Sequence, residues 1–375
     1  MISNRNRIVG IALLAIVAVV MVLLLIPPPT PTPTIVSYST SLYVYGGYRY
    51  FEDPEIMAIL HDRYSTDVTG DFRLGTFDMS DEYKEGVDCI FPGSKAGIDY
   101  FEQQHPGVIR RAEPVFQSPI MVYTWRADLP TLEDAGLIHE VDGVYTLRME
   151  QLIQAMLKGD QWSDLGINIP GYVSIVSTDP LTSSSGVMWL AIIGGYLVPG
   201  NESGGKIMTV DELKSNHILP ALVDYWEHQG YQIGTTGDLF HLFISTGPGM
   251  PMIVAYENSY INWYHTDLPD DRKSEAQKIV GLYPENTITT EHSLASLTEK
   301  CDQLLEIFTS DADIQRLAWE NQGMRNLAGG IGEKPGNEAW IAATVPYIPE
   351  PKQAVIDVIR GELCKHVPDD PACKD

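Results

Sequence analysis

Basic side chains are scarce in this sequence. The 375 residues include 25 Lys and Arg against 50 Asp and Glu, which gives a formal net charge of −25. Because binding to DNA or RNA needs a basic surface that neutralises phosphates, this balance excludes nucleic acid as a partner. No run of like charges is long enough to indicate a disordered acidic tail, so we interpret the acidity as a solvated surface.

Catalytic motifs are also lacking. The sequence contains no G-x-S-x-G elbow, HExxH helix, P-loop or G-x-G-x-x-G turn. Two glycine-rich stretches, "GTTGD" and "STGPG", lack the lysine and the strand–loop–helix context that phosphate transfer needs. The histidines are scattered without the spacing of metal ligands. We therefore predict that the protein is not an enzyme, and that it has no cofactor and no metal site.

Cysteine is limited to Cys89, Cys301, Cys364 and Cys373, and neither CxxC nor Cys/His metal spacing is present. Four cysteines fit an exported chain with two disulfides. Cys364 and Cys373 are near neighbours in "CKHVPDDPAC", and we expect them to pair and to fasten the C-terminus. Cys89 and Cys301 can pair only if the fold joins distant segments.

A single long apolar run is present. Ile8–Ile26 holds 19 residues without a charge or a proline, and a helix of that length spans roughly 28 Å, close to the hydrocarbon thickness of a bilayer. Arg5 and Arg7 precede it, and the next basic residue is Arg49. The positive-inside rule then places residues 1–7 in the cytoplasm and the body outside. A cleavable signal peptide is the competitor, but the run lacks an A-x-A site, so we predict an uncleaved single-pass anchor in the cell membrane.

The stretch "PPPTPTPT", residues 27–34, follows the anchor. Alternating proline favours polyproline II, a semi-rigid spacer of about 25 Å in this case. We expect it to lift the folded body clear of the membrane.

From residue 35 onward, short apolar runs alternate with helical patterns. "TIVSYSTSLYVY" is interpreted as a strand that ends in a hydroxyl cluster, and "DPEIMAILHDRYS" as a helix behind an Asp-Pro start. "GYVSIVSTDP" and "KIVGLYPENTITT" are each interpreted as a strand, and "TVDELKSNHILPALVDYWEHQG" as one helix containing a proline. This alternation predicts an α/β fold with a mainly parallel sheet.

Polar turns recur after the predicted strands: "STS" (39–41), "PGS" (92–94), "TDPLTSSSG" (178–186) and "YENS" (256–259). In open α/β sheets, ligands bind at the carboxyl ends of the strands. Free amides and hydroxyls at the start of the apolar helix "SGVMWLAIIGGYL" suit an oxyanion or a polar headgroup. A carboxylate beside an apolar strand, as in "YENS", needs a partner. The candidate ligand-binding residues are Ser39, Thr40, Ser41, Ser94, Ser184, Ser185, Gly186, Tyr256 and Glu257.

An ordered set of segments resembles a known family. The segments are "DCIFPGSKAGIDYF", "SPIMVYTWRADLPTLEDAGL", "STDPLTSSSGVMWLAIIGGY", "MPMIVAYENSYI", "LYPENTITTEHSLASL" and "DADIQRLAWENQGMRN", within roughly residues 35–345. They resemble the extracellular solute-binding proteins of type II periplasmic-binding fold, most closely the solute-binding-like domain that is found fused to von Willebrand factor A domains. The chain departs from the pattern in three ways: "GMRN" replaces a glycine-phenylalanine-arginine-proline turn, no von Willebrand domain follows, and no lipid-accepting cysteine follows the apolar run.

The resemblance implies two α/β lobes joined by crossovers near Val115 to Tyr123 and near Val280 to Pro284. The implied lobe I comprises residues 35–118 and 279–375, the latter including the C-terminal tail, and the implied lobe II comprises residues 119–278. That arrangement brings Cys89 and Cys301 into one lobe, so that a disulfide between them becomes possible.

The resemblance also implies that the lobes close on a small polar or anionic solute, which then passes to an ABC-type permease. The alternative is a surface sensory or interaction module with the same fold and no role in transport. Some members of the family bind ferric iron through tyrosines, and Tyr256, Tyr260 and Tyr264 are spaced four apart, near His265. We favour a packed aromatic stripe for these residues.

Overall fold

The computed structural model describes residues 39–373 apart from 168–170, 202–203, 216, 231 and 335–337. The predicted cytoplasmic segment (1–7), anchor (8–26) and spacer (27–34) lie outside the described residues. Within the part that is described, no helix combines the length and the apolar character that crossing a bilayer requires.

Strands and helices alternate along the described chain. The strands are β1 (Thr40–Gly46), β2 (Thr66–Asp71), β3 (Cys89–Phe91), β4 (Arg111–Trp125), β5 (Ile138–Val141), β6 (Val144–Leu147), β7 (Met252–Tyr256), β8 (Ile279–Pro284), β9 (Thr287–Ser296) and β10 (Tyr347–Ile348). The α-helices are α1 (Tyr48–Phe51), α2 (Pro54–Tyr64), α3 (Asp78–Asp81), α4 (Lys95–Gln104), α5 (Leu129–Asp134), α6 (Met149–Lys158), α7 (Ser184–Tyr196), α8 (Val210–Ser215), α9 (Ile218–His228), α10 (Thr236–Thr246), α11 (Glu257–Asn262), α12 (Glu299–Ser310), α13 (Ala312–Glu320) and α14 (Gln353–Cys364).

The first half of the sheet has the order β2-β1-β3-β9-β4. Strand β1 is parallel to β2 and β3, while β9 is antiparallel to β3 and β4. Helix α2 begins at Pro54 because the Asp53 side chain accepts hydrogen bonds from the first free amides, as the Asp-Pro start predicted. The Cys89–Cys301 disulfide joins β3 to α12 across 212 residues of sequence.

Strand β4 belongs to both halves of the sheet. Its residues 111–119 pair with β9, and its residues 120–125 pair with β7 and β8. The second half continues in the order β4-β8-β6-β5, and the chain returns to the first half between β8 and β9. The molecule is therefore a mixed α/β structure of two lobes. The prediction of a mainly parallel sheet is wrong, because β4 pairs antiparallel with β7, β8 and β9. Lobe I is defined as residues 39–119 and 287–334, and lobe II as residues 120–284.

The C-terminal tail and the return strand differ from the implied lobe division. Strand β8 pairs with β4 and β6, so residues 279–284 lie in lobe II. Helix α14 packs against α7, α8 and α9 of lobe II as well as α4 of lobe I. The predicted Cys364–Cys373 disulfide is confirmed at the end of this helix.

Three predicted elements are wrong in their extent. "GYVSIVSTDP" forms only single bridges, of which Val176 with Ile253 is parallel to β7, and "KIVGLYPENTITT" is divided into β8 and β9. The single helix predicted around Pro220 is two helices, α8 and α9, separated at His217, whose φ of 55° is not helical. Proline is tolerated in the first turn of a helix but not in its interior, so α9 begins shortly before Pro220.

Helix α7 is the central helix of lobe II, and all of its residues are buried. A helix that is apolar all round is stable only when other elements surround it, and here α6, α9, α14 and β7 pack against it. This packing holds the start of α7 in a fixed position between the lobes.

Candidate functional site

A cavity of about 160 Å³ lies between the two lobes, and we call it the cleft cavity. Lobe I lines it with residues 47–50, 72–76, 79, 91, 93 and 292, and lobe II with residues 182–184, 234–237, 256 and 258. Several of these segments follow directly on β1, β2, β3 and β7, at the carboxyl ends of those strands. The position is the one at which open α/β sheets bind ligands.

The charge of the cleft cavity is opposite to that of the chain. Among the described residues that line it there is no Asp or Glu, although the sequence has twice as many acidic as basic residues. Two arginines line it. Arg73 is paired through two hydrogen bonds with Glu52, whereas Nη1 of Arg49 is buried without a partner in the described structure. The Arg49 guanidinium is thus available to an anion.

A glycine pair at the end of β1 brings Arg49 to the cavity. Gly46 and Gly47 have φ values of +78° and +70°, in the left-handed region that favours glycine. A Cβ at Gly46 would also lie 2.6 Å from the carbonyl oxygen of Phe91. The chain can therefore turn sharply here, and α1 follows at once with Arg49 in its first turn.

His292 contributes an unsatisfied polar atom to the lobe I side, whereas the predicted ligand residue Ser94 is buried next to the lining residue Gly93 and does not itself line the cavity. The His292 ring has Nδ1 3.4 Å from the hydroxyl of Tyr50, and its Nε2 is buried without a partner in the described structure. Burial, with a smaller contribution from the charge of Arg49, lowers the pKa of His292 to about 3, so the ring is neutral at physiological pH. Ser94 precedes α4, is fully buried, and has no partner for its hydroxyl among the described residues.

Helix N-termini form much of the lobe II side. Ser183 is the N-cap of α7 and makes no capping hydrogen bond through its side chain, so the first-turn amides of α7 stay available. The hydroxyl of Ser184 lies 2.9 Å from that of Tyr256. Burial raises the pKa of Tyr256, which keeps its hydroxyl protonated. Helix α10 begins beside them at Thr236, and such N-termini attract anions.

Ser185 and Gly186 stabilise the lobe II side of the cavity through contacts outside it. The hydroxyl of Ser185 lies 2.7 Å from that of Thr178 and 2.7 Å from that of Thr236, which ties α7 to α10. A Cβ at Gly186 would lie 2.3 Å from the carbonyl oxygen of Thr178, so only glycine lets α7 approach this loop. Both residues hold the wall in position but do not line the cavity.

Glu257, a predicted ligand residue, is instead part of a buried ion pair. Its carboxylate accepts hydrogen bonds from Nε and Nη2 of Arg325 at 2.6 and 2.7 Å, and another from the hydroxyl of Tyr283. Glu257 does not line the cleft cavity, and both of its carboxylate oxygens are hydrogen-bonded to Arg325 or Tyr283. The partner that the sequence required is the arginine of "GMRN".

The hydroxyl cluster Ser39, Thr40 and Ser41 is at the wrong end of its strand for a cleft residue. Strand β1 runs through the buried Leu42 and Val44 to Gly46, so the cluster begins the strand and does not end it. The Ser39 hydroxyl donates to an exposed aspartate of β2. These residues are not carried forward as ligand residues.

The tyrosines in and after β7 differ in their surroundings. Tyr260 is fully buried, donates to Oε1 of Glu338 at 3.2 Å and stacks on Tyr264 at 6.3 Å between ring centroids. No group of three His, Cys, Asp or Glu in the described chain is placed to hold a metal ion. Tyr256 alone of the three tyrosines lines the cleft cavity.

Sequence reasoning missed Arg49, His292 and the start of α10. The glycine pair in "GGYRY" is a signal for a turn, but the predicted strand ends at the hydroxyl cluster, whereas β1 extends to Gly46. "GTTGD" lacks the lysine of a phosphate-transfer loop, but its backbone begins a helix beside the cavity. His292 is embedded in β9 and carries no local signal.

A second cavity of about 710 Å³ adjoins the first and shares Tyr48, Arg49, Arg73, Thr235 and Gly237 with it. It differs in chemistry, since several of the residues that line it are carboxylates. The shared residues place this acidic cavity directly beside the cleft cavity.

Comparisons with known proteins bear on the fold. No family model matches the chain, and no curated protein matches it. The structure is similar to the ferric binding protein from Campylobacter jejuni, with a TM-score of 0.55, 10% identity, and coverage of 87% of this chain and 97% of that one. It is also similar to the sulfate-binding protein SubI from Mycobacterium tuberculosis H37Rv, with a TM-score of 0.51, 14% identity, and coverage of 88% and 98%.

Apo FutA2 from Synechocystis PCC6803 is a further neighbour, with a TM-score of 0.51, 14% identity, and coverage of 88% and 96%. At such identities the likeness establishes the fold. The predicted α/β fold of two lobes is thereby confirmed, and two of these neighbours are named as binding proteins.

Proposed function

We propose that the protein is an extracytoplasmic solute-binding protein that captures a small anionic solute between its lobes. The observation that carries this proposal is the cleft cavity, which both lobes line. It offers the unpaired Nη1 of Arg49, backbone amides at helix N-termini and side-chain hydroxyls, and no carboxylate lies among its described lining residues. Closure of two lobes over such a cavity excludes water and strengthens each polar contact.

The available donors are sufficient for useful affinity. A hydrogen bond to a charged group contributes roughly 1.5 to 3 kcal/mol net, and a neutral one about 1 kcal/mol. Arg49, two first-turn amides and the hydroxyl of Ser184 together offer several kcal/mol, which approaches the roughly 8 kcal/mol of micromolar binding. An anion fits better than a cation because a cation would meet Arg49 without a counter-charge in the lining.

The two neighbours named for their solutes point to ferric ion and to sulfate. The residues that line the cleft cavity support an anion such as sulfate. A hard cation needs charged oxygen ligands, whereas a sulfate-like anion needs hydrogen-bond donors. The finer likeness to solute-binding-like domains of von Willebrand factor fusions rests on the sequence segments and is part of the proposal.

Membrane anchoring is a further part of the proposal. Residues 8–26 would anchor the protein with residues 1–7 in the cytoplasm, residues 27–34 would act as a spacer, and the lobes would deliver solute to an ABC-type permease. Protease added to intact cells should digest the body, and carbonate extraction should leave the protein in the membrane fraction. Solute binding without transfer to a permease would favour the sensory alternative.

Calorimetric titration of the full chain in detergent with sulfate, phosphate, citrate and Fe³⁺ tests the binding activity. We expect at least one of the anions to bind and Fe³⁺ alone not to bind. Arg49→Gln should weaken binding by about ten- to a hundredfold and Ser184→Ala by about two- to tenfold, since the first removes a charged donor and the second a neutral one.

Arg316→Gln is the control, because Arg316 is exposed on α13 and pairs with surface carboxylates only. It should leave the affinity unchanged. If no anion binds, or if Arg49→Gln binds as the unaltered protein does, the proposal fails.

A further inference from the structure

The C-terminal segment is in contact with both lobes. Four apolar side chains of α14, Val355, Ile356, Ile359 and Leu363, are buried. They belong to the same hydrophobic cluster as the core of lobe II, and that cluster also includes Phe77 and Ala96 of lobe I. The apolar face of one helix is therefore shared between the two lobes.

A carboxylate just before this helix attaches the segment to lobe I. Oε1 of Glu350 accepts hydrogen bonds from the amides of Glu291 at 2.7 Å and Lys95 at 3.2 Å, and Oε2 accepts from the amide of Ala96 at 3.3 Å. Two of these amides belong to the first turn of α4, which has no side-chain capping bond from its own N-cap, Ser94. Glu350 thus supplies the cap that α4 lacks, and it does so from a distant part of the chain.

Arg360 contacts both lobes at once. Its Nη2 donates to the carbonyl oxygen of Leu181 in lobe II at 2.9 Å. The same guanidinium lies over the ring of Phe77 in lobe I at 4.2 Å and near the ring of Tyr100 at 5.6 Å. Separation of the lobes would break one of these two sets of contacts.

The two ends of the segment are fixed on different lobes. At its start, β10 pairs with β9 at Thr287 and Ile288 of lobe I. At its end, Nδ1 of His366 lies 2.9 Å from Oε1 of Glu227 on α9 of lobe II, and the Cys364–Cys373 disulfide closes the last turn.

We propose that residues 347–373, here called the C-terminal strap, hold the two lobes closed in the solute-free protein, so that opening of the cleft requires release of the strap. The strap stabilises the closed state because its contacts to one lobe are lost on opening. An element with such differential contacts shifts the population toward the closed form before any solute binds. This inference concerns the empty protein and does not depend on which solute binds.

The test is a pulsed EPR measurement of the distance between spin labels on the two lobes of the full chain in detergent, without solute. The labels are placed through a non-natural amino acid at Lys84 of lobe I and Lys214 of lobe II, which are both exposed, so that the native disulfides are not disturbed. We expect one short distance in the unaltered protein. Arg360→Gln and Glu350→Gln should each produce a population with a longer distance between the labels, either beside the short distance or in place of it.

Lys365→Ala is the matched control, because Lys365 follows α14 and pairs only with Glu362 of the strap itself among the described residues. It should keep the short distance. Circular dichroism establishes that each variant is folded, and Glu350→Gln, which keeps the shape of the side chain, serves if Arg360→Gln does not fold. The proposal is overturned if both folded variants keep the distribution of the unaltered protein, or if Lys365→Ala changes it equally. Since no solute is present, this result is separate from that of the titrations.

Discussion

Replacement of Arg325 by methionine should be among the most destabilising single changes in this protein. Arg325 is 2% exposed and Glu257 is fully buried. All five N–H groups of the guanidinium are used: two donate to Glu257, and the others donate to the carbonyl oxygens of Gly329, Ala342 and Ala343. Methionine keeps much of the volume but leaves a buried carboxylate with the Tyr283 hydroxyl as its remaining donor.

The magnitude follows from the burial. Breaking a buried ion pair by removing one partner costs about 3–5 kcal/mol, because the other charge is left without compensation. A body of about 330 residues unfolds with an entropy of roughly 0.7 kcal/mol/K, so each kcal/mol lowers Tm by about 1.5 °C. We expect Arg325→Met to lower Tm by about 6 °C.

Thermal unfolding followed by circular dichroism, together with urea denaturation at 25 °C, measures this loss. Arg316→Met is the control, since the Arg316–Glu320 pair on α13 is solvent-exposed, and such pairs contribute about 0–1 kcal/mol. Its Tm should fall by no more than about 1.5 °C.

The pair also predicts a coupling energy. Glu257→Gln leaves Arg325 without its counter-charge and should cost a comparable amount, whereas the double variant removes both charges. The double variant should therefore lose at least about 2 kcal/mol less than the sum of the two single losses. Strict additivity, or a loss for Arg325→Met no larger than for Arg316→Met, would refute the reasoning.

Two further predictions concern the walls of the cleft cavity. Because burial holds the pKa of His292 at about 3, the unfolded chain binds more protons than the folded one between pH 6.5 and 3, so acid should lower the free energy of unfolding by up to about 1.4 kcal/mol per pH unit in that window. His292→Gln lacks this term, and urea denaturation from pH 7.5 to 4.5 should give it a flatter stability curve; equal slopes would contradict the assignment. Gly186→Ala should cost about 1–3 kcal/mol, since its Cβ would meet the backbone of Thr178. Gly361→Ala, on α14 with open space around it, should be neutral or stabilising by up to about 1 kcal/mol in the same urea denaturation experiments. If Gly361→Ala were the more destabilising of the two variants, the packing argument would be wrong.

Local signals made part of the fold predictable. Asp53 and Pro54 mark the start of α2 through chemistry that acts within three residues, and the apolar run after Ser184 can be stable only as a surrounded helix. The pairing of Cys364 with Cys373 needed no more than their proximity in sequence.

The remaining features depend on contacts between distant segments. Glu257 is 68 residues from Arg325, so the sequence could indicate that the carboxylate needs a partner but not which residue supplies it. Arg49 reaches the cleft cavity only because β1 ends at Gly46. The sequence analysis predicts that this strand ends at Ser39–Ser41, and it therefore selects residues from the opposite end of β1 as ligand residues. The hydrophobic periodicity of α14 predicts that one face of the helix is buried. It does not predict which elements cover that face, so the contact of α14 with both lobes could not be predicted from the sequence.

The Cys89–Cys301 disulfide has a consequence for the order in which the protein can form during synthesis. Lobe II is made of consecutive residues that have all been synthesised once Pro284 has emerged, although α14, which packs against α7, α8 and α9, follows later. Lobe I cannot be completed until β9 and α12 have been synthesised, so residues 39–119 lack these packing partners while lobe II is being made. The thiol of Cys89 remains unpaired for 212 residues of chain growth, and because no other cysteine lies between Cys89 and Cys301, incorrect pairing in that interval requires a second molecule. Once formed, the bond encloses all of lobe II in one covalent ring, so that lobe II can unfold and refold repeatedly without the two parts of lobe I drifting apart.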